Sequence, residues 1–208
     1  IAICLVGTAA ATSLGIDWRQ APVLSDNTFS SVTLTPNASI VFSGGSQLLV
    51  RSWDDQVHWG GQAGFVAAMS VDGNYVVTGS GDTVTVFNRK GEPIWARTMI
   101  GQVLAVAISP DGSMIITADD KGYFNSWAPN GDIYIRNRTG DLPRQLAIVP
   151  TGDLIVATTT AGMRYYSPDL KPVWTDNRSG SLDEYIVISA DGETIITAGG
   201  TRLSSHTK

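Results

Sequence analysis

The sequence has few of the side chains from which most catalytic and metal sites are built. Its 208 residues include one cysteine, Cys4, and two histidines, His58 and His206. One cysteine excludes an intrachain disulfide, and no Cys/His spacing typical of a zinc site is present. Neither histidine stands in a motif that would pair it with a nucleophile. We therefore predict that the chain is not an enzyme and that it binds no metal and no cofactor.

Charge is scarce as well, and the basic residues are scattered. There are 19 Asp and Glu against 14 Lys and Arg, the net charge is -5, and charged residues make up 16% of the chain. The longest basic run is the pair Arg89–Lys90. Because binding to phosphates needs a concentrated basic patch, we expect no nucleic-acid partner.

Glycine is abundant, and much of it recurs in one repeated turn. The 22 glycines and the low charge favour strands and tight turns over helices. Four segments share the turn, and a fifth copy, 35–45, has Ala38 in place of the turn glycine. At that position the copies lie at residues 38, 73, 112, 152 and 192, which gives steps of 35, 39, 40 and 40. The four segments are SVDGNYVVTGS (70–80), SPDGSMIITAD (109–119), VPTGDLIVATT (149–159) and SADGETIITAG (189–199).

Each copy predicts four short strands. In the best example an apolar strand at 103–109 turns into a second at 114–118, and a third follows at 123–128. A second turn then leads to a fourth strand that contains an aromatic residue. These aromatics are predicted to be equivalent and to pack between units: Trp59, Trp95, Tyr134 and Trp174.

Four strands in about 40 residues are typical of a propeller blade. The S-P-D-G turn before a Val/Ile-rich strand resembles WD-repeat and cell-surface propeller repeats. The G-x-x-x-W ending, Gly91 to Trp95, resembles the tryptophan-docking repeats of pyrroloquinoline-quinone propellers. The resemblance implies an all-β propeller over 15–208. Quinone binding is not expected, because the first strands that would line the channel are nearly uncharged.

The last copy lacks its fourth strand, and a matching one stands near the start of the chain. After 194–200 the sequence ends in TRLSSHTK, which matches a third strand only. SLGIDWRQ (13–20) contains a turn glycine, Gly15, and a strand with Trp18. Joining both termini in one blade would hide the sheet edge and close a five-bladed ring. The alternative is a piece of a ring with six or seven blades.

Residues 1–14, IAICLVGTAAATSL, contain no charge and have no counterpart in the repeat. A helix of this length would reach about 21 Å, short of a membrane span. Three interpretations remain: a signal remnant, a further strand, and a helix buried against other copies of the chain. The third is favoured, because small residues let helices approach closely. The residues assigned to this assembly helix are Ile1, Ile3, Leu5, Val6, Gly7 and Ala10.

The layout of an apolar start followed by a β-rich head resembles type IV pilins, including the archaeal ones. That resemblance implies a filament whose core is formed by the apolar segments. Leu5 stands where bacterial pilins commonly have glutamate, and the segment is shorter than theirs.

The remaining polar motifs predict surface features. The acidic pairs Asp54–Asp55, Asp119–Asp120 and Asp183–Glu184 fall in predicted turns, where we expect solvated carboxylates rather than acid/base groups. Three glycosylation sequons begin at Asn37, Asn137 and Asn177. Asn137 and Asn177 are predicted to lie in exposed loops after a fourth strand.

Together these observations predict a non-enzymatic extracellular structural subunit, a five-bladed propeller displayed on a pilus-like filament of identical copies. The alternative is a soluble or membrane-tethered cell-surface propeller that binds a protein or carbohydrate.

Overall fold

The computed structural model of the protein describes residues 31–34, 40–44, 47–51, 57–62, 66–176, 185–189, 191–199 and 202–207. Over 31–62 and most of 202–207 it describes the backbone alone. All regular elements in this part of the chain are β-strands. The prediction of an all-β fold is therefore confirmed for the described residues, and the predicted helix over 1–14 lies outside them.

Nineteen described strands form five antiparallel sheets, each built from consecutive strands. Sheet 1 contains β1 (Ser31–Leu34), β2 (Ile40–Gly44), β3 (Gln47–Arg51) and β4 (Val57–Gln62). Sheet 2 contains β5 (Val66–Met69), β6 (Tyr75–Ser80), β7 (Thr83–Asn88) and β8 (Pro93–Thr98). Sheet 3 contains β9 (Val103–Ile108), β10 (Ile115–Asp119), β11 (Tyr123–Trp127) and β12 (Ile133–Arg138). Sheet 4 contains β13 (Pro143–Ile148), β14 (Ile155–Thr159), β15 (Gly162–Tyr166) and β16 (Pro172–Asp176). Sheet 5 contains β17 (Tyr185–Ile188), β18 (Thr194–Gly199) and β19 (Arg202–Thr207).

The turn between the first and second strands is held by its own side chains. In sheet 3 the Ser109 hydroxyl donates to Asp111 at 2.6 Å, and the Met114 amide donates to the Ser109 hydroxyl at 2.9 Å. Gly112 has a positive φ of 73°, which explains why four of the five copies have glycine there. Sheets 2 and 5 repeat the serine–aspartate bond with Ser70–Asp72 and Ser189–Asp191. The same turn geometry therefore recurs in sheets 2, 3 and 5.

A β-bulge recurs where the third strand pairs with the fourth. In sheet 2 Trp95 lies opposite Val86 and Pro93 lies opposite Phe87, so Ile94 is the extra residue. The same register shift occurs in sheets 1, 3 and 4. A bulge twists an edge strand and discourages pairing with another edge. The extra residues in the other sheets are His58, Tyr134 and Val173.

The sheets pack face to face through alternating residues of their second strands. In β10, Ile115 belongs to a buried cluster shared with sheet 2, and its neighbour Ile116 belongs to one shared with sheet 4. Both side chains are fully buried. Period-2 alternation therefore lets sheet 3 pack against sheet 2 with one face and against sheet 4 with the other.

The first strands join the sheets in a row from sheet 1 to sheet 5, through contacts of β1 with β5, β5 with β9, β9 with β13 and β13 with β17. Among the described strands no contact of similar extent joins β17 to β1. The predicted closing strand, with Gly15 and Trp18, lies outside the described residues.

Candidate functional site at the sheet junctions

The clearest arrangement of functional side chains lies where the outer strand of one sheet meets the next sheet. The Trp95 ring on β8 is 6% exposed, and its Nε1 donates to the Pro129 carbonyl oxygen of sheet 3 at 2.8 Å. The ring also lies 5.6 Å from the Trp127 ring, centroid to centroid. Trp95 thus joins two sheets by packing and by one directed hydrogen bond, and the prediction that it packs between units is confirmed.

The predicted equivalence of Tyr134 with Trp95 is wrong by one residue. Because of the bulge, Ile135 occupies the register position of Trp95, opposite Ser126, and Tyr134 is the extra residue. Tyr134 is 59% exposed, whereas Ile135 packs against the core between sheets 3 and 4. Ile135 follows Gly131 by four residues, as Trp95 follows Gly91, so the spacing and not the aromatic residue marks the position.

Of the other two predicted aromatic residues, Trp174 has a described side chain and Trp59 does not. Trp174 occupies the Trp95 position in sheet 4, is 46% exposed and meets the Tyr165 ring edge-on at 4.9 Å. Trp59 occupies it in sheet 1, where only the backbone is described.

A buried polar cluster that the sequence did not reveal surrounds the Met99 sulfur. Trp127 Nε1 donates to the Thr117 hydroxyl at 2.9 Å, and that hydroxyl donates to Met99 Sδ at 3.5 Å. Asn125 Nδ2 donates to the same sulfur at 3.3 Å, and Arg136 Nε donates to Asn125 Oδ1 at 2.7 Å. The sulfur, a weak acceptor, thus serves two buried donors. The cluster ties the loop after β8 to the middle of sheet 3.

The expectation that both members of the acidic pair Asp119–Asp120 are solvated is wrong for Asp119. Its side chain is 0% exposed. One carboxylate oxygen accepts from the Lys121 and Tyr123 amides at 3.0 and 2.9 Å, and the other accepts from the Gly101 amide at 3.2 Å. Backbone amides thus satisfy the buried carboxylate, and Asp119 shapes the turn. The pairs Asp54–Asp55 and Asp183–Glu184 lie outside the described residues.

Asn137 lies within β12 and not in a loop after it, as the sequence had suggested. It is half-buried, and its Nδ2 donates to the Leu170 carbonyl oxygen of sheet 4 at 2.9 Å. This is the nitrogen that a glycan would occupy. Asn37 and Asn177 lie outside the described residues, as do the assembly-helix residues, Ile1, Ile3, Leu5, Val6, Gly7 and Ala10.

The outer strands leave apolar side chains exposed at one repeated position. The bulge residues of sheets 2, 3 and 4, which we call the rim row, are Ile94, Tyr134 and Val173. They are 42%, 59% and 62% exposed. The three side chains thus share one register position on the fourth strands of successive sheets.

Two searches for other kinds of site give negative results within the described part of the chain. No group of three or more His, Cys, Asp or Glu residues is placed to hold a metal ion there. No helix in these ranges has the length and apolar character needed to cross a membrane.

Comparison with known families identifies one repeat. Residues 96–132 match the sequence model of the family described as WD domain, G-beta repeat. This segment starts in β8, ends just before β12 and covers well under half of the chain. It contains the Asp119 turn and all members of the Met99 cluster except Arg136. The chain carries β-propeller-like repeats. A search among curated proteins finds no match.

In these repeats the residues that sequence analysis missed are those that join one sheet to another. Thr117, Asn125 and Trp127 act as polar groups of a buried cluster, although no sequence motif marks them. Trp127 lies opposite Ile115, and the same register position holds Phe87 in sheet 2 and Tyr166 in sheet 4. Alignment of the third strands of sheets 2, 3 and 4 would have shown this aromatic position.

Proposed function

We propose that the chain is a non-enzymatic extracellular structural subunit, a five-bladed propeller whose outer rim contacts neighbouring molecules. The rim row carries this proposal. Ile94, Tyr134 and Val173 occupy equivalent bulges in three successive sheets and are all exposed. Because bulges oppose edge-to-edge strand pairing, such a rim favours side-chain contacts with a partner over continuous sheet formation.

In this proposal the neighbours are other copies of the chain in a pilus-like filament. The support is the uncharged segment 1–14, which is apolar, rich in small residues and without a counterpart in the repeats. Burying such a segment releases about 25 cal/mol per Å² of apolar surface, and identical segments from neighbouring copies can provide the cover. The propellers would then stand outside the core of the filament.

The alternative function is a soluble or membrane-tethered cell-surface propeller that binds a protein or carbohydrate. The same rim row favours it, because an exposed Tyr134 between two aliphatic residues suits either class of ligand. In this case residues 1–14 contribute no assembly contact.

Electron microscopy and a native mass measurement on the purified full chain distinguish a filament subunit from a cell-surface binding propeller. Filaments that disappear in Val6→Asp and persist in the matched Thr8→Ser variant support assembly through the apolar segment. A monomer without detergent overturns it. A Tyr134→Asp variant then tests the rim row, because it should weaken lateral contacts or ligand binding while Thr175→Ser, another exposed outer-strand change, leaves them unaltered.

A further inference from the structure

Three arginines lie at the outer opening of the junction between sheets 2 and 3. Arg97 is on β8, the outer strand of sheet 2, and Arg136 and Arg138 are on β12, the outer strand of sheet 3. All three residues are exposed. We call this set the arginine cluster.

Arg97 reaches the junction from sheet 2. Its guanidinium carbon lies 5.8 Å from the centroid of the Trp95 ring, and that ring packs against Trp127 of sheet 3. A guanidinium within about 6 Å of an aromatic ring centroid is attracted by the ring, which holds the Arg97 side chain over the junction.

Arg136 and Arg138 reach the same junction from sheet 3. Arg136 Nε donates to Asn125 Oδ1 at 2.7 Å, and Asn125 is hydrogen-bonded in turn to Met99 of the loop between sheets 2 and 3. The guanidinium carbon of Arg138 lies 5.7 Å from the centroid of the Tyr123 ring. The two arginines are two residues apart on β12, so both face the same side of sheet 3.

Within the described part of the chain, no carboxylate neutralises these cations. None of the three arginines takes part in an ion pair there. The turn beside Arg138 carries two carboxylates, but Asp119 is satisfied by backbone amides and Asp120 lies 3.4 Å from Lys121 Nζ. The cluster is therefore a local excess of positive charge in a chain whose net charge is -5.

The junction between sheets 3 and 4 is built differently. There Asn137 occupies the register position of Arg97. Arg164, on the third strand of sheet 4, is paired with Asp141, with 3.1 Å between Nε and Oδ2. The arginine cluster is therefore a feature of one junction and does not follow from the repeat.

The spacing of the cluster matches that of an extended peptide. Arg136 and Arg138 are two strand residues apart, which is roughly 7 Å along β12. Side chains on one face of an extended peptide repeat at the same distance. A guanidinium can bind a carboxylate through two parallel hydrogen bonds, so carboxylates at alternate residues are the complementary partner.

We propose that the arginine cluster binds an extended acidic segment of a partner protein, with carboxylates at alternate residues. The segment lies along β12 over the junction of sheets 2 and 3. Arg136 and Arg138 bind successive carboxylates, and Arg97 faces them from sheet 2. The inference rests on the alternative function, a propeller that binds a protein, and specifies the ligand. It does not depend on assembly through residues 1–14.

Fluorescence anisotropy of two labelled peptides with the full chain tests the proposal. One peptide alternates serine and glutamate, and the other has the same composition with its glutamates in adjacent pairs that are two serines apart. The alternating peptide should bind about fivefold more tightly, because adjacent residues of an extended peptide face opposite sides. Equal affinity of the two peptides would overturn the proposal.

Substitutions in the chain locate the site. Arg97→Gln and Arg138→Gln should each weaken binding of the alternating peptide about fivefold. Neither side chain donates to a buried side chain, so both variants are expected to fold. Lys171→Gln removes one positive charge from an exposed turn of sheet 4 and should leave the affinity unchanged. An equal loss in all three variants would show that net charge alone attracts the peptide, and the assigned site would be wrong.

A sulfated oligosaccharide of similar charge distinguishes a peptide ligand from an acidic glycan. It should displace the alternating peptide only at higher concentration than the unlabelled peptide does. Displacement at a lower concentration would assign the cluster to a glycan and overturn the peptide proposal. Anisotropy can be measured on single chains and on filaments alike, so failure of these tests leaves assembly through residues 1–14 unaffected.

Discussion

A β-carbon on Gly131 would lie 2.8 Å from Cγ of Trp95, the tryptophan through which sheet 2 reaches sheet 3. The indole Nε1 of Trp95 also donates to Pro129, two residues before this glycine. The turn at Gly131 in one repeat and Trp95 on the outer strand of the preceding repeat therefore contact each other.

Gly131→Ala should lower the free energy of unfolding by about 2–4 kcal/mol, because the positive φ of 86° and the close Trp95 ring both penalise a methyl group. Gly140→Ala is the matched control, since φ is 78° there and nothing lies within 4 Å of the added carbon. It should cost only about 1 kcal/mol. Urea denaturation measures the unfolding free energy of both variants. An equal loss of stability in the two would show that the Trp95 ring is not fixed against the turn.

Met99→Leu should destabilise the protein by about 1–3 kcal/mol, because it keeps the volume but leaves the Asn125 amide and the Thr117 hydroxyl with one acceptor fewer. Met69→Leu, also in a buried position, serves as control and should cost less than about 1.5 kcal/mol. Thermal and chemical unfolding compare the stabilities of Met99→Leu and Met69→Leu. A loss no larger for Met99 than for Met69 would mean that the sulfur contacts contribute packing alone.

Ser109→Ala should raise the pKa of Asp111 toward its ordinary value of 3.8. The pKa is held below that value chiefly by the Ser109 hydroxyl, then by the Ser113 amide and hydroxyl. A lowered pKa in the folded state means that the contribution to stability is present above 3.8 and is lost as the pH falls through the lower folded value. Carboxyl NMR titration measures the change, and an unaltered Asp111 pKa would contradict the assigned cause.

Alkaline pH should weaken the fold between pH 10 and about 12. Burial raises the pKa of Tyr165 and of Tyr166 from 10.0 to about 12. The folded state therefore binds more protons than the unfolded state in this range, and stability falls as the pH rises.

Tyr166→Phe should remove part of that alkaline loss. At neutral pH its cost should be small, because the buried Tyr166 hydroxyl lies near Thr139 without meeting hydrogen-bond geometry. The test is to measure the free energy of unfolding of the wild type and of Tyr166→Phe between pH 10 and about 12. An unchanged slope in the variant would show that Tyr166 ionises freely in the folded protein.

Asn137→Asp should destabilise the junction of sheets 3 and 4 by about 1–3 kcal/mol, because a carboxylate would face the Leu170 carbonyl that Nδ2 now binds. Thr139→Ala removes the same sequon but keeps the amide, so it separates the contact from any glycan. Mass spectrometry of protein exported from a glycosylating host should find Asn137 unmodified. Glycan at this position would show that the Leu170 bond forms only in unmodified chains.

The sequence could predict the repeated parts of the fold because they depend on near neighbours in the chain. The Ser-x-Asp-Gly turn needs one positive-φ residue and short side-chain bonds, and the strand at 83–88 alternates with period 2. The predicted strands over 83–88 and 123–128 agree with β7 and β11 within one residue. Trp95 was placed correctly because it lies four residues after Gly91, the glycine of the turn between the third and fourth strands.

What the sequence could not predict depends on contacts between separate parts of the chain. Asp119 reads as a solvated turn residue until the Gly101 amide, from the preceding loop, is seen to bind it. Tyr134 reads as a core aromatic until the bulge shifts the register of β12. Met99 has no motif, because its donors come from two strands of the next sheet.

By itself, then, the sequence determined the repeat, the four-strand unit and the turn chemistry, since local backbone conformation and alternation set all three. Only the tertiary structure decided which face of each strand is covered, where the register shifts and which polar groups meet in the interior. The physical reason is that burial and hydrogen-bond satisfaction belong to pairs of sheets, and a single repeat contains only one side of each pair.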